Sequence, residues 1–297
     1  MEEKYKSRES EQAKENHRQY EIITSRQNAF VTQVGKLRDK KYRDADGAFL
    51  FDGIKLLEEA LRAGVEIKAA VVKESSLKNL NPWLIKLTKQ NVAVRVLADS
   101  VFSKVSEEKS PEGIICVAKC IDKIHKIATI NRDGTFPTDE ISHGERVFAV
   151  ESVRDPGNLG TIIRSAAAFG VDCLLISSDC ADIYNSKTVR ASMGTLFRQK
   201  IVRTEYLAAA LEALASEKRR TYAAALTSEA LLLGKVPLQA DDVIVVGNEG
   251  HGLSPSTLQA CSHTLLIPMQ LGTESLNAAV AASVCMWEQF GRRIASE

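Results

Sequence analysis

Long apolar runs are missing from this chain of 297 residues. No stretch of about eighteen or more consecutive apolar side chains occurs, so no transmembrane helix is expected. Residues 1–21 are polar and of mixed charge, without the apolar segment of a secretory signal, and a cytoplasmic location is expected. Net charge is nearly absent too, at +1, so composition by itself selects neither an acidic nor a basic partner. Cysteine is sparse: Cys116, Cys120, Cys173, Cys180, Cys261 and Cys285 form no C-x-x-C pair. Their spacing suits neither a zinc site nor a disulfide framework, and they read as buried, reduced thiols. The five histidines do not cluster as ligands, and no metal is expected. What remains is an ordinary globular balance, 44% hydrophobic and 26% charged, long enough for one large or two medium domains.

Residues 1–22 lack apolar periodicity and read as a polar tail. Patterning begins at Ser25. Residues 47–51 predict a strand, and 54–63 an amphipathic helix closed by Gly64. Further strands are predicted over 67–72, 92–97 and 113–118. Asn81-Pro82 predicts a helix start, with Pro82 in its first turn. Residues 23–119 therefore form a small α/β domain. Periodicity fades over 120–145, where Gly134, Pro137 and Gly144 mark a linker. Alternation resumes over 146–297. Strands are predicted over 147–151, 173–177, 221–226, 243–246 and 265–267, and helices over 159–169, 187–197, 205–218 and 275–294. Such alternation predicts a mainly parallel sheet covered on both faces, with ligands held at the carboxyl ends of its strands.

Three loops follow those strands. The first runs from Asp155 to Gly160. Asn158 there is either the N-cap of the next helix or a functional amide. Arg164 sits among Ile162, Ile163, Ala166 and Ala167, where a cation near a helix N-terminus opposes the dipole unless something anionic faces it. The second loop, Gly247-Asn248-Glu249-Gly250-His251-Gly252-Leu253-Ser254, exposes backbone to a ligand. It is neither G-x-G-x-x-G nor a P-loop, and Glu249 would repel a phosphate. The third runs from Ile267, Pro268 and Met269 to Ser275, Leu276 and Asn277. Pro268 ends its strand, and Ser275 can cap the helix that follows. Two basic runs stand apart. One holds Lys187, Arg190, Arg198, Lys200 and Arg203. The other, residues 36–43, includes Lys40, Lys41 and Tyr42. Each is either a solvated face or a contact for a phosphate backbone.

Together, and in this order, the three loops resemble the motifs of the SpoU, or TrmH-like, branch of the SPOUT methyltransferases. Asp155-Pro-x-Asn158-x-Gly160-x-x-x-Arg164 is similar to the first motif. Gly247-x-Glu249-Gly250-x-Gly252-Leu-Ser254 is similar to the second, and Ile267-Pro-Met269 with Ser275-Leu-Asn277 to the third. Arg190-Ala-Ser-Met-Gly194 with Phe197-Arg198 fits the family's middle section. One departure, Asn277-Ala-Ala-Val-Ala where the family often has Asn-Val-Ser-Val-Ala, is conservative. Ahead of these motifs, Ser25-Arg-Gln-Asn28, residues 47–53 and Ser110-Pro-Glu-Gly113 resemble a substrate-binding domain of the α/β/α class. Asp52 and Glu112 stand there where that domain commonly has Glu and Gln.

The resemblance implies a trefoil-knotted catalytic domain, a homodimer, S-adenosylmethionine as cofactor and a ribose 2′-hydroxyl of RNA as target, with rRNA expected ahead of tRNA. A non-catalytic RNA-binding assembly factor on the same fold is the rival. Gly247, Ile267 and Leu276 would contact the cofactor, with Asn248, Gly250 and Met269 beside them. Lys187, Arg190, Arg198, Lys40 and Lys41 would contact RNA. Arg164 would meet the 2′-oxygen and Asn158 would orient it, while Glu249, Ser275 and Asn277 fix the arginine, the loop and the phosphate. Arginine is effectively never deprotonated, so the proton acceptor stays open and Arg164 is equally read as stabilising developing alkoxide charge.

Overall fold

The computed structural model describes residues 20–108, 110–141, 144–248, 250–270, 272 and 275–291. The chain forms two compact units that divide between Cys120 and Ile121. The first unit contains β1 (Ile22–Ile23), α1 (Ala29–Lys36), α2 (Lys40–Asp46), β2 (Ala48–Asp52), α3 (Ile54–Arg62), β3 (Ile67–Lys73), α4 (Leu77–Lys89), β4 (Ala93–Leu97), α5 (Asp99–Val105) and β5 (Ile114–Lys119). Its sheet runs β1-β4-β3-β5-β2. Strands β1, β4 and β3 are parallel, and β5 is antiparallel to both β3 and β2. Helix α3 buries Leu56, Leu57 and Ala60 on one face, the spacing an amphipathic helix requires.

Two expectations change here. Pro82 lies inside α4, at its sixth position, rather than in a first turn. It forfeits one helical hydrogen bond, but Leu77, Leu80, Leu84 and Leu87 bury a continuous stripe that carries the helix through. Residue 22, placed in the polar tail, pairs with Val96 through β1. Residues 1–19 of that tail lie outside the described residues.

The second unit contains β6 (His125–Ala128), β7 (Val147–Val150), α6 (Pro156–Phe169), β8 (Cys173–Ser177), α7 (Ser186–Ala191), β9 (Lys200–Thr204), α8 (Leu207–Ser216), β10 (Thr221–Ala224), β11 (Leu231–Leu232), β12 (Val243–Val246), α9 (Pro255–Ala260), β13 (His263–Leu266) and α10 (Ala278–Met286). Its eight strands run β11-β13-β10-β12-β7-β8-β9-β6, and every pairing is parallel. Every residue of β7, β8 and β12 is buried, as expected of strands covered on both faces.

The stretch expected as a linker, 120–145, is part of this unit. β6 pairs with β9, and Phe136 and Ile141 are buried in the core with Leu211 and Val243. The helix expected over 187–197 stops at Ala191. Met193 (φ +51°) and Gly194 (φ +85°) take left-handed backbone, which no helix continues through. A tight turn at Thr195–Phe197 then leads into β9. In β9, Lys200 and Arg203 stand on either side of buried Ile201 and Val202.

Candidate active site

Helix α6 is capped by Asp155, whose Oδ1 accepts the Asn158 backbone N–H at 2.8 Å, with Pro156 at the first helical position. Asn158 is therefore the third residue of the helix and not its cap, which frees its side chain. Asn158 Oδ1 accepts Asn277 Nδ2 at 3.0 Å, across 119 residues of sequence. Asn277 is itself the cap of α10: its Oδ1 accepts the N–H groups of Ala279 at 3.0 Å and Val280 at 3.3 Å. The cap assigned to Ser275 thus belongs to Asn277. α6 and α10 also meet through Ser165 and Ser283, with their Oγ atoms 2.7 Å apart. Phe169 meets Trp287 edge-on at 5.7 Å. On its other side α6 presses on α7: a Cβ on Gly160 would lie 2.5 Å from the Thr188 carbonyl oxygen, so only glycine fits.

Arg164 is the ninth residue of α6. The helix dipole is felt within the first turn, so it does not oppose Arg164 as the sequence suggests. Six residues separate it from Asn158, which at 3.6 residues per turn sets the two about 120° apart around the helix. Arg164 is exposed. Among the described residues no hydrogen bond or ion pair engages it.

The second loop is pinned at both ends by two neighbouring residues that follow β7. Glu151, 8% exposed, accepts the Ser254 N–H at 2.8 Å, the Ser254 hydroxyl at 2.7 Å and the Thr257 hydroxyl at 2.7 Å. The Ser152 carbonyl accepts Asn248 Nδ2 at 2.9 Å. Ser152 holds a left-handed backbone, φ +56°, a costly conformation for a residue with a Cβ. Its own N–H donates to Ser177 Oγ at 2.8 Å and its hydroxyl donates to Asp179. Burial raises the Asp179 carboxyl, but the hydrogen bonds from Ser152, Ser177 and Arg154 outweigh it and hold the group below the ordinary carboxylate range. Within the loop, Asn248 Oδ1 accepts the N–H groups of Gly250 and His251. A Cβ on Gly247 would lie 2.4 Å from the Gly252 carbonyl oxygen, so the turn closes only around glycine.

A cavity of about 340 Å³ opens at the carboxyl ends of β10, β12 and β13. Gly247, Asn248, Ile267, Met269, Ser275 and Leu276 line it. Gly250 does not, and Glu249 lies outside the described residues. The pattern missed Ala225, Leu226 and Thr227, which also line it. They follow β10, and in sequence the apolar run reads as strand through residue 226, which hides them. Asn158 and Asn277 instead line a groove of about 380 Å³ with Val280, Val284 and Trp287. Arg164 lines neither.

The basic residues separate into two kinds. Lys187, Arg190 and Arg198 are exposed. Lys200 is bound to Glu145 at 3.0 Å, and Arg203 donates to the Ser178 carbonyl. In the first unit Lys40 pairs with Asp44, and Lys41 lies 5.9 Å from the Tyr42 ring centre. Near the basic segment, His125 is fixed between two oxygens. The Leu196 carbonyl can only accept, so Nε2–H donates to it at 3.1 Å, and Nδ1 accepts the Tyr184 hydroxyl at 2.6 Å. Burial lowers this imidazole to a pKa of about 4. Among the described residues no His, Cys, Asp or Glu cluster could hold a metal ion.

Comparison with known proteins adds to this geometry. Residues 145–287 match the SpoU rRNA Methylase family, and residues 28–116 match the MRM3-like substrate binding domain. The 23S rRNA (guanosine(2553)-2′-O)-methyltransferase RlmP of Bacillus subtilis is 30% identical over 91% of this chain and 99% of its own length. The chain belongs to the SpoU rRNA methylase family. A second relative is the 23S rRNA (uridine(2479)-2′-O)-methyltransferase of Streptomyces viridochromogenes, 28% identical over 92% of both chains. Among solved structures, an AdoMet-bound rRNA methyltransferase from Sinorhizobium meliloti superposes with a TM-score of 0.75 at 26% identity, covering 93% of this chain and 98% of that one. In this SpoU methylase the family match spans all three loops, the cavity and the groove.

Proposed function

We propose that this chain transfers a methyl group from S-adenosylmethionine to a ribose 2′-hydroxyl of rRNA, as a cytoplasmic homodimer. The observation that carries the reading is the meeting of the first and third motifs through the Asn158–Asn277 hydrogen bond. Beside it, the second and third motifs together line one cavity. Two relatives whose names specify 2′-O-methylation of 23S rRNA support the substrate.

The cavity suits the cofactor. Its volume, about 340 Å³, lies in the range of small-molecule sites, and its wall is mostly apolar with a few polar groups. Gly247, Asn248, Ile267, Met269 and Leu276 would hold the cofactor there, with Gly250 shaping the loop. When bound, S-adenosylmethionine supplies a methyl group on a sulfonium that is already activated. The chain's own residues must then align the hydroxyl and favour loss of its proton. The exposed Arg164 guanidinium, without a partner among the described residues, stays cationic and is suited to steadying alkoxide charge and the adjoining RNA phosphate. Asn158, locked to Asn277, orients the hydroxyl. Glu249 would fix the arginine and Ser275 the loop. Lys187, Arg190 and Arg198 contact the RNA backbone. Residues 23–119 recognise the RNA, with 146–297 as the catalytic domain.

The dimer rests on α10. Val280, Val284 and Trp287, spaced 4 and 3 residues apart, are 48%, 36% and 46% exposed, an apolar stripe whose burial by a second copy is favourable. The test is calorimetry with S-adenosylmethionine, joined to mapping of 2′-O-methyl sites across total RNA with and without the gene. One rRNA ribose should lose its methyl group. Absence of cofactor binding, or a methylation map that does not change, overturns the reading.

A further inference from the structure

From Leu77 to Leu97 the chain carries Lys78, Lys86, Lys89 and Arg95 and not one Asp or Glu. This stretch is α4 and the strand after it. At 100° per residue, Lys78, Pro82, Ile85, Lys86 and Lys89 fall within an arc of about 100° on α4. The opposite side, with Leu77, Leu80, Leu84 and Leu87, is buried. All five residues of the arc are exposed, Ile85 at 49%. Lys78 and Lys89 stand three turns apart, about 16 Å along the axis. Among the described residues none of the three lysines is engaged in an ion pair.

Beside this face is a groove of about 470 Å³ between the ends of α3 and α4, lined by Glu58, Leu61, Arg62, Lys86, Lys89 and Gln90. Its carboxylate, Glu58, accepts the Trp83 indole N–H at 3.3 Å. The neighbouring Glu59 is taken by Lys55 at 3.1 Å and Arg62 at 2.7 Å. The uncompensated charge therefore lies on α4. Cations in the last turn of a helix complement its dipole, which would suffice for Lys86 and Lys89. It does not account for Lys78, the second residue of α4, where the dipole opposes a cation. In the Lys40 and Lys41 segment Lys40 is paired with Asp44, and Asp39 and Asp46 stand at the two ends of the same short helix.

We propose that the Lys78–Lys86–Lys89 face of α4, with the adjoining Arg62 groove, is the surface by which the N-terminal unit grips an RNA phosphate backbone. The proposal rests on the rRNA reading above and assigns it a place. Three lysines along one helix face neutralise consecutive phosphates without reading bases. The unit thus contributes affinity and position, and sequence selection falls elsewhere.

The test uses the full chain and in-vitro-transcribed, unmethylated 23S rRNA. Each phosphate contact contributes about 0.7 to 0.9 to the slope of log affinity against log salt. The triple variant Lys78→Gln, Lys86→Gln, Lys89→Gln should therefore lose about 2 to 3 from that slope. Its calorimetric affinity for S-adenosylmethionine should match the parent. The corresponding triple arginine variant should keep the parental slope, because it keeps the three charges. A triple glutamine variant with parental slope and affinity overturns the proposal, and the face then serves another partner. If the parent chain itself shows no salt-dependent rRNA binding, the rRNA reading fails along with it.

Discussion

Replacing Glu151 by glutamine tests whether the glycine-rich loop is held in place by the strand beside it. The carboxylate accepts three hydrogen bonds, all within 2.8 Å, from Ser254 and Thr257. Bonds to a charged acceptor are worth about 1.5–3 kcal/mol each. The two hydroxyls can turn and accept from the new amide, so the net loss is close to one bond. Glu151→Gln is therefore expected to cost about 1.5–3 kcal/mol of stability, measured by urea unfolding. The Gly247–Ser254 loop would then have to be ordered when the cofactor binds. A tenfold rise in the dissociation constant for S-adenosylmethionine, about 1.4 kcal/mol, is expected by calorimetry. Ser152→Gly is the companion variant. It keeps the carbonyl that holds Asn248, and glycine adopts φ +56° without strain. It should bind cofactor as the parent does. Should Glu151→Gln lose stability while cofactor affinity stays within twofold, Glu151 is a fold-stabilising group and does not position the loop.

Other perturbations bear on separate parts of the molecule. Arg164→Lys keeps the charge but loses the planar fork. It should lower single-turnover methylation by about a hundredfold, in line with loss of a charge-stabilising donor, with cofactor affinity unchanged; a parental rate would remove Arg164 from the chemistry. Trp287→Glu places a carboxylate in the exposed apolar stripe at the end of α10 and should yield a monomer by light scattering, whereas a persistent dimer would move the interface elsewhere. His125 is neutral in the folded chain, with its pKa lowered from 6.5 to about 4 by burial. Below pH 6.5 the unfolded chain binds the extra proton, so stability present above that pH is lost as pH falls. The loss approaches about 3 kcal/mol by pH 4. His125→Gln should be less stable at pH 7 yet show a flatter decline between pH 6.5 and 4, and an unaltered profile would assign the acid sensitivity to other groups.

The strands that pattern reading located best are those buried on both faces. Val147–Val150, Cys173–Ser177 and Val243–Val246 are short runs without a charge, and such runs have few other folded states open to them. The strands it passed over are different. β1, β6 and β11 have two to four residues each and exist by pairing with an edge that other strands provide. β9 was hidden by Lys200 and Arg203, which read as a basic surface until Glu145 and the Ser178 carbonyl take them up. At the site, the motif residues were legible from their order, but their contacts were not. Asp155 takes the cap that Asn158 could have filled, and Asn277 the cap that Ser275 could have filled. Either partner satisfies a free helix N–H, so local chemistry leaves the choice undecided.

By itself, the amino-acid sequence determined the parallel α/β alternation, the glycines at which two tight approaches are possible and the identity of the three motifs. Each depends on neighbours a few residues apart. The tertiary structure alone decided that Asn158 meets Asn277 across 119 residues and that Glu151 holds Ser254 across 103. Among the described residues it also left Lys78, Lys86 and Lys89 of α4 without an ion pair. The two long-range hydrogen-bonded pairings follow from strand order, which sets β12 against β7 and β10. Such an order is a property of the whole packed sheet, and no local spacing encodes it.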